Sequence, residues 1–178
     1  MISTIKELCE HLPYLYLVIF IVSLGTSKQQ TSLSITVILM ATSEFIISSV
    51  NGPLLAALND KSIEYVVRVS AWTSFWCLFN LTYVCILQKC HEWLNLGKGR
   101  VLITAQVSFG VLSLFELLRF LDAMFFNVVS INNVSVKDIY TASIALIGMF
   151  VGIYLLVELL LSIKDSHVHR VNRLHRTF

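Results

Sequence analysis

The stretch VLITAQVSFGVLSLFELLRFLDAMFFNVV, Val101 to Val129, limits this chain more than any other. It is apolar enough to enter a bilayer, yet its second half carries Glu116, Arg119 and Asp122. Steps of three residues place those groups within an arc of about 120° on an α-helix. An ionisable group at membrane depth costs roughly 2.5–3.5 kcal/mol on insertion scales, so such groups face protein or water rather than lipid. The remaining segments must therefore build a bundle that shelters this face.

Four further apolar runs are available for it. Leu12 to Gly25 opens with Pro13, which suits a first helical turn. Its fourteen residues rise only about 21 Å against a hydrocarbon core of roughly 30 Å. The run has the length of a signal-peptide core, but Glu7 and Glu10 spoil the basic start such a peptide needs. Residues 33–58 hold Glu44 near the middle and Asn51-Gly52-Pro53 beyond it, a triplet expected to break or kink the helix. Residues 63–88 carry Trp72, Phe75, Trp76, Phe79 and Tyr83 at helical spacing, the pattern of an aromatic packing face. Glu64 and Arg68, four residues apart at the start of that run, are placed to pair or to reach the interface. Residues 139–163 contain Ala145, Gly148 and Gly152, small residues whose spacing lets helices approach closely, within one chain or between chains.

Soluble domains average about 45–50% apolar and about 25% charged residues. Here 56% are hydrophobic and 13% charged, and 178 residues leave no room for a separate soluble domain beside these runs. The expected fold is an all-α integral membrane protein, a bundle of four to five transmembrane helices. Residues 1–163 form the bundle, with segments at about 12–25, 33–58, 63–88, 101–129 and 139–163, and residues 164–178 form a basic cytoplasmic tail. Five helices result if the first two runs both cross; four result if one of them is interfacial or re-entrant.

The positive charges set the orientation. Lys89, Lys98 and Arg100 lie in one connector and Lys164, Arg170, Arg173 and Arg176 in the tail, seven of the thirteen basic residues. Two spans separate these groups, so they share a side. The opposite connectors bring only Lys61 and Lys137. The positive-inside bias therefore makes the tail cytoplasmic, and in a bacterium the inner membrane is the expected location.

No enzyme motif is present. His91-Glu92-Trp93-Leu94-Asn95 begins like HExxH but lacks the second histidine, and GKGR at 97–100 lacks the glycine loop and the hydroxyl of a phosphate-binding P-loop. His167 and His169 stand two apart, which does not align them on a helix for a metal. Asn133-Val134-Ser135 matches a glycosylation acceptor, a triplet that chance often produces. Cys9, Cys77, Cys85 and Cys90 form no CxxC and are expected to be free thiols. Neither cofactor nor metal is expected, and no direct contact with nucleic acid.

The membrane charges carry more information. Glu44, Glu116, Asp122 and Glu158 stand against Arg68 and Arg119, four acids to two bases. Their expected role is a seam of interhelical pairs, with Arg119 held by Glu116 or Asp122. The alternative is a proton or cation path lined by Glu44 and Glu116. In the tail, Arg170, Arg173 and Arg176 recur beside Val171, Leu174 and Phe178, a short basic amphipathic helix suited to anionic lipid or an acidic partner. These features point to a non-enzymatic, oligomeric sensor or anchor subunit coupled to a cytoplasmic protein. By architecture alone it is comparable to small membrane subunits of bacterial phage-defence or immunity systems. A channel or pore subunit is the alternative. Reporter fusions after Phe178 and within residues 130–138 are expected to give opposite topology signals, with Phe178 inside; an extracellular Phe178 overturns the orientation.

Overall fold

The computed structural model describes residues 11–25, 31–60, 62–126, 130–131 and 134–174, with side chains for 11–25, 31–60, 62–126 and 139–164. Among the described residues it is an all-α bundle of five helices: α1 (Leu12–Gly25), α2 (Thr31–Leu58), α3 (Tyr65–Trp93), α4 (Arg100–Leu121) and α5 (Val136–Leu174). A π-helical turn, Asp122–Phe126, continues α4. A two-residue antiparallel pairing, Ser130–Ile131 with Val134–Ser135, precedes α5. Four segments are long and apolar enough to cross a membrane: Thr31–Leu58, Tyr65–Trp93, Arg100–Phe126 and Ile139–Lys164. The chain is a multi-pass membrane protein with apolar helix faces turned to lipid. Helix α1 is too short to be a fifth such span.

Sequence explains where the helices stop. Asn95 adopts a left-handed φ of 52° after α3, which asparagine tolerates better than most residues. The Leu96 N–H then reaches the His91 carbonyl at 2.8 Å and the Asn95 N–H reaches Glu92, satisfying carbonyls the helix leaves open. This closure carries α3 five residues past the expected end at Gln88 and leaves Trp93 84% exposed at the tip. Pro53 does not break α2, which runs to Leu58 around it. A membrane helix has no water to compete for its other backbone bonds, so one missing N–H is tolerated. At the other extreme α5 passes Lys164 without a break and stays helical to Leu174, so bundle and tail are joined by one helix.

The helices pack as two antiparallel hairpins, α1 with α2 and α3 with α4, with α5 against α4 and α1. Helix α1 buries Leu12, Tyr16, Ile19 and Ser23, one face at steps of four, three and four. That face meets the glycines of α5. A Cβ built on Gly148 would stand 3.0 Å from Leu12, and one on Gly152 would stand 3.1 Å from Leu15. The Tyr16 hydroxyl donates to the Gly148 carbonyl at 3.0 Å. The small-residue face of α5 is thus filled from within the chain.

The dry core lies in the half of the bundle that ends at the basic connector. It joins Tyr16 and Ile19 to Val37 and Met40 of α2, Tyr83 and Leu87 of α3, Leu102 and Phe109 of α4, and Val151, Leu155 and Leu159 of α5. Polar side chains in this half are partnered. Ser23 and Ser34 share a hydrogen bond of 2.7 Å across the first hairpin. His91 is buried: Nδ1 lies 2.8 Å from the Leu87 carbonyl and Nε2 lies 3.0 Å from the Ser32 hydroxyl. With Nδ1–H donating to a carbonyl, Nε2 accepts, and α3 is tied to the start of α2. The residue that opens the incomplete HExxH pattern is therefore a helix tie.

Gly152→Ile adds a branched side chain against Leu15 and should lower the unfolding midpoint in mild detergent, at an overpacking cost of about 1–3 kcal/mol. Gly25→Ala meets nothing within 4 Å and should change little. An unchanged midpoint for Gly152→Ile would contradict the α1–α5 contact.

Candidate functional site

The other half of the bundle is built differently. Beyond Asn80 on α3 and Leu112 on α4 the interior opens into a cavity of about 210 Å³ lined by Asn51, Trp72, Trp76, Asn80, Glu116, Arg119 and Thr141, with apolar neighbours. One turn nearer the basic connector, Tyr83 and Phe109 stack with centroids 5.3 Å apart. A second cavity of about 280 Å³ adjoins it and shares Trp72 and Arg119. Arg68, Tyr65, Asn59 and Leu58 line this outer one, which reaches the end of the bundle where α2 turns into α3.

Sequence positions this polar lining. Trp72 and Trp76 stand four apart, and Arg68 one turn before them, on the inward stripe of α3 that continues through Asn80 and Tyr83. On α4, Ser113 and Glu116 extend the buried stripe of Leu102, Ala105 and Phe109. A stripe that is apolar near the basic connector thus becomes polar as it rises.

Five buried polar atoms have no hydrogen-bond partner among the described residues: Arg68 Nε, Trp72 Nε1, Trp76 Nε1, Ser113 Oγ and Glu116 Oε2. Four of the five belong to residues that line these cavities, and the fifth, on Ser113, lies one turn before Glu116 on α4; Glu116 and Trp76 are each only 6% exposed. Buried polar groups are almost always partnered, and each exception calls for a reason.

The expected seam of ion pairs is not formed. Among the described residues the ion pair within reach is Lys89 with Glu92, 2.9 Å apart on the surface of α3, and neither Arg68 nor Arg119 has a carboxylate at that range. Each guanidinium faces a ring instead. Arg119 lies over Trp72 at 5.5 Å and Arg68 over Tyr65 at 5.9 Å. Within about 6 Å such contacts are worth roughly 0.5–2 kcal/mol, more as water is excluded. Residues three apart on one helix can meet, but a flat ring from the neighbouring helix offers Arg119 a larger surface.

The other expected residues are spread out. Glu44 is half-buried on α2, one turn before Ile47 and two before Asn51, both of which line the cavity. Asp122 is half-buried at the first position of the π turn. Glu158 lies toward the basic end, close to the Tyr154 hydroxyl, away from the seam. Ala145 is half-buried on α5, one turn before Gly148. Arg170 and Arg173 belong to α5 by backbone, while Cys9, Asn133 and Arg176 lie outside the described residues. Cys77, Cys85 and Cys90 are free, and the Cys77 thiol donates to the Ser113 carbonyl at 3.5 Å. Trp72, Trp76, Asn51, Asn80 and Thr141 were not expected as site residues. Only the aromatic ladder signalled two of them, and it reads equally as packing.

Comparison with known protein families, curated proteins and solved structures finds no match.

Two variants separate a pairing seam from a cavity lining. If Glu116 held an arginine, its loss should cost about 3–5 kcal/mol. With neither arginine paired to it, Glu116→Gln should move stability by less than about 1 kcal/mol, the scale of one ordinary hydrogen bond. Trp72→Ala, which removes the ring beneath Arg119, should cost about 3 kcal/mol. Thermal unfolding in detergent reads both, and the reverse order would contradict this geometry.

Proposed function

We propose that the chain is a non-enzymatic membrane sensor or anchor subunit whose polar cavity receives the stimulus and whose basic extension engages a cytoplasmic partner. The observation that carries this reading is the segregation of unpartnered polar groups around Glu116, Arg119, Trp72 and Trp76. The other half of the same bundle has its polar groups satisfied. Groups that cost stability without partners are characteristic of sites that bind or switch.

Helix α5 supplies a route outward. Thr141 and Ile144 line the cavity, and the same helix continues unbroken to Leu174. From Thr141 to Leu174 it extends about 50 Å at 1.5 Å per residue. A change at the cavity wall that shifts or rotates α5 would move Arg170 and Arg173 with it. In this reading the tail is cytoplasmic, as the distribution of basic residues favours. Self-association belongs to the same proposal, but it would use a face other than Gly148 and Gly152, which α1 covers. The channel alternative stands behind it, because ions leaving the cavity would have to pass the Tyr83–Phe109 stack and the packed core below.

The test is made in cells that depend on the chain and its neighbouring genes, with phage challenge as the first assay on the analogy to defence and immunity subunits. Glu116→Gln should abolish activity with expression and unfolding midpoint kept, and Arg119→Gln should abolish it in protein that still folds, at the cost of its contact with Trp72. The triple variant Arg170→Gln, Arg173→Gln, Arg176→Gln should lose co-purification of the partner from native membranes. Full activity in the cavity variants would refute the sensor reading, and cation conductance in liposomes would replace it with the channel.

A further inference from the structure

We infer that the outer cavity is a binding site for a phosphate group, held between Arg68 and Arg119. This names the ligand class of the site proposed above and rests on that cavity being a receiving site.

The charge balance of the outer cavity is the first argument. Its lining comprises Arg68, Arg119, Trp72, Tyr65, Asn59 and Thr73 with four apolar residues, and no carboxylate. Two guanidinium groups therefore share one cavity whose lining carries no counter-charge. The acids nearest in sequence, Asp60, Glu64, Glu116 and Asp122, all lie outside its lining, with Glu116 and Asp122 each three residues from Arg119. Asp60, in the turn beyond α2, accepts the Ser62 backbone N–H at 2.9 Å. That bond, with Arg68 as a minor contributor, holds its carboxyl below the usual carboxylate range. Glu64 lies outside the lining, and Glu116 lines the inner cavity instead.

The donors supply the second argument. Arg68 Nε and the Trp72 indole N–H are both buried without a well-aligned hydrogen bond, the indole close to the Glu116 carboxyl, and both residues line this cavity. Arg119 presents its guanidinium across the Trp72 ring. A planar donor fork matches two oxygens of a tetrahedral anion, and a second fork beside it takes the others.

Depth supplies the third. Arg68 is three residues into α3 from Tyr65, about 5 Å along the axis, and the turn at Asn59 caps the other wall. Leu55 and Tyr65 flank the cavity and are 46% and 52% exposed at the bundle surface. A phospholipid of the adjoining leaflet would bring its phosphate to this level while its chains follow the apolar helix faces. A free phosphate ester from solution has the same chemistry, and the experiment separates the two.

Protein purified in mild detergent is delipidated and titrated with phosphatidylglycerol, with diacylglycerol, which has the chains but no phosphate, and with inorganic phosphate. Native mass spectrometry counts bound lipid, and tryptophan fluorescence in a Trp76→Phe, Trp93→Phe background reports on Trp72. The wild type should bind phosphatidylglycerol and not diacylglycerol. Arg68→Gln with Arg119→Gln should weaken that binding at least tenfold, while Arg170→Gln with Arg173→Gln should leave it unchanged. Should the double glutamine variant not fold, Arg68→Lys with Arg119→Lys keeps the charge, loses the forks, and should still bind several-fold more weakly. Saturable binding of inorganic phosphate that competes with the lipid would support the site with a soluble ester as its source. A folded double variant that binds like the wild type would overturn the inference, as would a folded wild type that binds neither phosphate nor phosphatidylglycerol. Because binding is read on purified protein, such a failure leaves the cellular test of the sensor reading intact.

Discussion

A polar group surrounded by hydrocarbon must find a partner inside the protein, and this bundle meets that demand in one half only. Near the basic connector, Tyr16, Ser23, Ser34, Thr36 and His91 are all bonded to backbone or to each other. They fasten α1 to α2 and α5, and α3 to α2. The apolar side chains between them pack into one core, with an apolar cavity of about 240 Å³ beside Leu12, Leu15, Met149 and Ile153 at its edge. In the other half the same two helices, α3 and α4, turn Trp72, Trp76, Ser113 and Glu116 toward each other without satisfying them. Everything proposed about activity follows from that contrast, because an unpartnered polar wall costs stability that packing alone would not give up.

Helix α1 accounts for part of the asymmetry. Its buried face begins at Leu12, against Gly148, and ends at Ser23, against Ser34. As described, it accompanies the first half of α2 and the second half of α5. The buried residues of α2 follow the same limit, running from Leu33 to Ser43 with none beyond. Past Phe45, where Tyr14 packs edge-on, α2 turns Ile47 and Asn51 to the cavity instead. Glycine at 148 and 152 is what allows α1 this close, so the small residues of α5 serve a contact within the chain.

The all-α membrane bundle was legible in the sequence because hydrophobic runs of bilayer length have few other uses. The small-residue face of α5 was legible too, although its partner within the chain was not. Spacing along one helix is a local quantity, so Glu116, Arg119 and Asp122 could be placed on one arc. Whether Arg119 then meets an acid or a ring depends on what α3 brings alongside, and nothing in the α4 sequence records Trp72. Of the two effects expected of Pro53, a break is not what occurs: a residue that breaks helices in water is accommodated within a continuous membrane helix. His91 reads as part of a broken metal motif in sequence, and only the approach of Ser32 from another helix reveals it as a tie. The polar cavity itself was the least visible feature, since Asn51, Asn80 and Thr141 come from three different helices.

Solvent access along the bundle tests the two-halves account most directly. In a background without native cysteines, single cysteines at Ala123 and Thr141 sample the cavities, and single cysteines at Ala41 and Ala105 sample the dry core. Each replacement is small enough to be accommodated, and a membrane-impermeant, water-soluble thiol reagent reads access. The account predicts modification at Ala123→Cys and Thr141→Cys, with Ala41→Cys and Ala105→Cys protected until the protein is denatured. Equal protection at all four sites, or labelling of the core sites in folded protein, would contradict it.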